Sequence, residues 1–112
     1  MRILTTDVQG RAATIASTPT VTTLPLDYAR TWRLQVHNTH GSQNITALRL
    51  RRRTHAAGPS SAWVSITAGL PLAAGDVLSV VPDADDCTEE LDVELTADVD
   101  DTTVAFWLAG TR

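Results

Sequence analysis

Arg30-Thr31-Trp32-Arg33-Leu34-Gln35-Val36-His37 alternates without a break: Trp32, Leu34 and Val36 fall on one side of an extended chain, and Arg33, Gln35 and His37 on the other. A period of two marks a strand with one buried face, because successive side chains of an extended backbone point in opposite directions. Asn38-Thr39-His40-Gly41-Ser42-Gln43 then supplies turn chemistry, and the alternation resumes from Asn44 to Thr54 with Ile45, Leu48 and Leu50. The two strands are expected to pair as a hairpin.

The same reading extends downstream. Ala62 to Thr67 is a short strand with Val64 and Ile66 on one face and Trp63 on the other, and Val77 to Val81 is an apolar central strand ended by Pro82. Glu90 to Ala97 sets Leu91, Val93 and Leu95 against Glu90, Asp92 and Glu94, and Thr102 to Ala109 sets Val104, Phe106 and Leu108 against Trp107. Upstream the pattern is thinner. Arg2 to Val8 and Arg11 to Ser17 are placed to pair across Gln9-Gly10, and Val21 to Leu24 forms a short strand before Pro25. Residues 1–27 therefore read as either an N-terminal arm or the first strands, and residues 28–112 as the sandwich core of one domain.

Composition agrees with this class. The chain has 112 residues, 43% hydrophobic and 20% charged, with no lysine and few Glu or Gln, so strong helix formers are scarce while Val and Thr abound. Short strands divided by turn signals, with no helix long enough for a parallel crossover, imply an all-β antiparallel β-sandwich, jelly-roll-like or Ig-like. No apolar run approaches a membrane span, and Met1 to Asp7 lacks the apolar core of a secretory leader, so neither membrane nor export is expected. Cys87 is the single cysteine and excludes an internal disulfide.

Charge is segregated along the chain. Residues 1–75 hold eight Arg against Asp7 and Asp27, net +6, whereas residues 76–112 hold eleven acidic residues against Arg112, net −10. Arg49, Arg51 and Arg53 form a basic stripe on one strand, and Glu90, Asp92 and Glu94 an acidic stripe of the same period on another. If the strands are neighbours, the stripes pair within the chain and fix register. If they are distant, the same complementarity suits a head-to-tail contact between copies. Nucleic acid is not an expected partner of the Arg stripe, because the chain is acidic overall and poor in stacking aromatics.

Catalytic and metal chemistry find little support. His37, His40 and His55 have no thiolate partners and no shared face, so no metal site is expected from them. Asp83 to Glu90 offers hard oxygens but lacks the glycine and the spaced glutamate of a calcium loop. Cys87 lies among acidic residues, which disfavour the thiolate a nucleophile needs, and the carboxylates of residues 90–94 project together instead of flanking a cleft. The expectation is a protein that is not an enzyme and uses no cofactor. Trp63 and Trp107 lie opposite the core-facing residues of their strands, which suits a contact face or, alternatively, a sugar-stacking platform.

The Trp-bearing strand running into Val36-His37-Asn38-Thr39, and Leu70-Pro71-Leu72-Ala73-Ala74-Gly75-Asp76 before the later strands, resemble the layout of small β-sandwich virion proteins of tailed bacteriophages over about residues 28–110. That resemblance implies a structural role in capsid decoration, neck or tail, a homo-oligomer that also contacts other virion proteins, and a virion location after synthesis in the host cytoplasm. On this reading Arg49, Arg51, Arg53, Trp63, Glu90, Asp92, Glu94 and Trp107 form the interface. The alternative is a ligand-binding β-sandwich such as a carbohydrate-binding module.

Overall fold

Trp32, Leu34 and Val36 do face a core, but the strand that carries them is not bonded to the one that follows it. In the computed structural model, which describes residues 4–55, 57–81 and 88–111, eight strands run in chain order. They are β1 (Leu4–Ile15), β2 (Thr20–Ala29), β3 (Thr31–Asn38), β4 (Ile45–Arg53), β5 (Val64–Ile66), β6 (Val77–Val80), β7 (Thr88–Ala97) and β8 (Thr102–Thr111). One antiparallel sheet has the order β1-β8-β3-β6 and the other β2-β7-β4-β5. These two interleaved orders define a jelly roll, which selects between the two sandwich topologies expected from the sequence.

The expected hairpin between residues 30–37 and 44–54 is corrected by this topology: β3 belongs to the first sheet and β4 to the second. Alternation reports which face of a strand is apolar, and both strands do bury one face. It does not report whether two inward faces lie side by side or across the core from each other. The crossing is held by Asn38, which is fully buried. Its side-chain amide donates to the carbonyls of Gln43 (2.6 Å) and Leu72 (3.0 Å), and its Oδ1 accepts from the His40 amide. One side chain thus ties the end of β3, the crossing segment and the stretch before β6 together.

The expected pairing of residues 2–8 with 11–17 is also corrected. Leu4–Ile15 is one strand along the edge of β8, with a register shift between Val8 and Arg11. Gly10 at φ +61° supplies the left-handed residue of that bulge, so the glycine bends the strand without reversing it. Residues 4–29 accordingly form the first two strands of the sandwich.

The core fills the space between the sheets. Ile15, Trp32, Leu34, Val36, Val104, Phe106 and Leu108 come from the first sheet, and Leu24, Leu26, Ile45, Leu48, Leu91, Val93 and Leu95 from the second. The two side edges differ. At one, β1 is laced to β2 by the hydroxyls of Thr5 and Thr6, which donate to the carbonyls of Leu26 and Pro25, and by Arg11, which reaches the carbonyl of Thr23. At the other, the short strands β5 and β6 leave a cleft of about 290 Å³ that reaches the core residues Trp32, Leu50, Val80 and Leu91.

Asn38→Ala removes the donor to the Gln43 and Leu72 carbonyls and the acceptor of the His40 amide, and should lower unfolding free energy by about 2–4 kcal/mol in urea titrations. His37→Ala on the outer face should change it by less than about 0.5 kcal/mol.

Candidate functional site

The second sheet places β4 directly beside β7, with Arg49 opposite Glu94, Arg51 opposite Asp92 and Arg53 opposite Glu90. The two stripes are therefore an intrachain ladder, which selects pairing within the chain over head-to-tail pairing between copies. Arg49 grips Glu94 with two parallel bonds, Nε to Oε1 and Nη2 to Oε2, both 2.8 Å. Arg51 Nε donates to Asp92 Oδ2 at 2.7 Å, and Arg53 Nη2 donates to Asp92 Oδ1 at 2.9 Å while lying 3.4 Å from Glu90 Oε1.

Asp92 is the hub of the ladder. It is 1% exposed although it points away from the hydrophobic core, because the long arginine side chains lie over it. Thr23, its cross-strand neighbour on β2, adds a third donor at 2.7 Å. Burial on its own raises the carboxyl's pKa, but bonds from Arg51 and Thr23 and the charges of Arg53 and Arg51 outweigh it and hold the pKa below its ordinary value. Glu94 is lowered chiefly by its bond to Arg49, against a smaller opposing effect of burial. Both groups stay ionised and act only as acceptors, so neither can serve as a general acid.

Trp63, just before β5, caps the ladder. Its ring lies 4.8 Å from the guanidinium carbon of Arg49 and 4.3 Å from that of Arg51. Seven of the eight residues singled out in the sequence thus meet on the outer face of one sheet. Trp107 is apart from them, on the outer face of the other sheet, where Gln35 is its cross-strand neighbour. Sequence reading missed Thr23, whose role depends on β2 lying next to β7, and the seat under Trp107. Gly10 within a strand pattern was the available signal for that seat.

Other candidates disperse. Among the described residues no three His, Cys, Asp or Glu side chains gather as a metal site. The Tyr28 hydroxyl donates to Glu89 and lies 3.2 Å from His55 Nδ1, a partnership separate from His37 and His40. Asp83 to Cys87, the greater part of the acidic loop, lies outside the described residues. Among the described residues no helix is long and apolar enough to cross a membrane.

Because Asp92 and Glu94 have lower pKa values folded than unfolded, the unfolded chain binds more protons as pH falls. Their contribution to stability should be full above the ordinary values of 3.8 and 4.5 and fade below them, towards the lower folded values, in denaturation monitored across pH. Arg51→Ala leaves a buried carboxylate short of a partner and should destabilise the fold by about 3–5 kcal/mol at neutral pH, more than the intact pair contributes.

No family model matches the sequence and no curated protein matches it. Solved structures do. The chain superimposes on chitosan-binding module 1 of a chitosanase/glucanase from Paenibacillus sp. IK-5 with a TM-score of 0.57 and 12% identity, covering 88% of this chain and 74% of the module. It superimposes on a chain of the infectious bursal disease virus Gx strain structure with a TM-score of 0.52 and 12% identity. A second bursal disease virus structure, of the T13 viral particle, gives 0.50 and 10%. The two viral matches cover 99% of this chain, which spans about a third of each viral chain. At these identities the likeness shows the fold alone: an all-β sandwich of the kind found in that chitosan-binding module and in chains of the two virus structures.

Proposed function

We propose that this chain is a non-enzymatic structural protein of a tailed-phage virion, in capsid decoration, neck or tail, and that it works through contacts with copies of itself and with other virion proteins. The observation that carries this reading is the unequal finish of the sandwich. The charged face of the second sheet is closed by its own ion pairs, and the β1/β2 edge is laced shut. At the opposite edge apolar area stays open: Val64 and Val81, 53% and 55% exposed, flank the cleft, and Val77, 50% exposed, stands at the other end of β6. Edge strands of three and four residues offer backbone pairing groups there together with apolar side chains, a combination that suits strand-to-strand contact between subunits. The likeness to chains of two virus structures is consistent with this role.

A second reading, a ligand-binding sandwich, is favoured by the exposed Trp107 and by the likeness to a chitosan-binding module.

Light scattering over a wide concentration range should show a homo-oligomer. Val64→Asp with Val81→Asp should convert it to a monomer while shifting stability by only about 0.5 kcal/mol, as for other surface changes. A protein that stays monomeric at the highest attainable concentration would remove the assembly reading.

A further inference from the structure

We propose that the outer face of the first sheet carries a binding site for a neutral β-linked gluco-configured oligosaccharide, with Trp107 as the stacking platform. This inference rests on the ligand-binding reading and gives it a location and a ligand class.

Trp107 is 43% exposed, and its ring has a built seat. A β-carbon at position 10 would stand 3.1 Å from Cζ2 and 3.3 Å from Cη2, tight enough to push the indole back by a few tenths of an ångström, and the φ of +61° there also favours glycine. The next outward positions on β8 are Ala105 and Ala109, whose side chains are short. Asp7, Gln9, Arg33 and Gln35 surround the ring in a depression of about 190 Å³. Two of these polar groups are oriented: Gln9 Nε2 donates to Asp7 Oδ2 at 2.7 Å, and Gln35 Nε2 donates to Ser79 Oγ at 3.3 Å.

The ligand class follows from that layout. A seated aromatic plane accepts a flat array of C–H groups, and a rim holding both donors and acceptors accepts hydroxyls that project sideways from such an array. A β-linked glucopyranose unit has this shape, since its axial positions are C–H and its substituents are equatorial. An anionic ligand fits less well, because Asp7 stands at the rim and the chain is net −4. Trp63 cannot offer an equivalent platform on its ladder side, where two guanidinium groups already cover the ring.

The test is titration of the whole chain with cellohexaose and with hexa-N-acetylchitohexaose, read by calorimetry and by tryptophan fluorescence. Binding of at least one is expected, with Trp107→Ala weakening it about tenfold or more. Trp63→Ala should leave affinity unchanged, and Gly10→Ala should weaken it by displacing the ring. The relative affinities for the two sugars separate a glucan from an N-acetylated source. If Trp63→Ala abolishes binding and Trp107→Ala does not, the ligand-binding reading stands and this site falls. Absence of binding to either sugar overturns the site, and loss of oligomer mass on Trp107→Ala without any sugar binding assigns the ring to a subunit contact instead.

Discussion

The rest of the second sheet depends on one buried carboxylate. Asp92 sits on β7, one of the two central strands of that sheet, on the face turned away from the apolar core, yet it is almost wholly withdrawn from solvent. A charge in that position is tolerable only with its acceptor capacity filled, and Arg51, Arg53 and Thr23 fill it from the strands on either side. Because the donors come from both β2 and β4, the carboxylate specifies the neighbours of β7 as well as its register. A one-residue slip would drive the arginines into the core and the leucines out. The ladder therefore contributes more to choosing one arrangement than to the depth of the energy minimum, as expected for paired charges at partial burial.

The jelly-roll crossing gives the charge segregation of the sequence its meaning. A chain whose first part is basic and whose last part is acidic reads as a dipole when drawn as a line. In the folded molecule the basic β4 lies against the acidic β7, and the two ends of the line are brought side by side. The same crossing sends β3 and β4 to different sheets, with Asn38 as the joint.

What could be read from the sequence was local. Most strands after residue 30, most of their inward faces and the opposition of the two stripes follow from period-two alternation, which depends only on neighbouring residues. Val77 to Val81, expected as a central strand, instead carries the short edge strand β6, and Val64, expected to face the core, is 53% exposed. Which strand lies beside which does not. Leu34 and Leu48 present the same pattern whether their strands share a sheet or face one another, so the pattern fits a hairpin and a crossing between sheets equally well. Gly10 misled for a related reason: a left-handed residue serves a reversal or a bulge, and only the partner strand β8 decides between them. At the site, residue types at 49–53 and 90–94 gave the ladder's members. Thr23 and the arginine cover over Asp92 required the three-dimensional order of strands, which no spacing along the chain encodes.

The pairing of the ladder has an electrical consequence at longer range. Three cations and three anions alternate across a few ångströms, so their fields cancel at any distance larger than their separation, and the face holds six charges without projecting a net potential. The ladder itself neither steers nor repels a molecule approaching the second sheet until that molecule is close enough to touch Trp63 or the arginine stems. The long-range field of the protein is left to its remaining charges, which are those that the ladder does not consume.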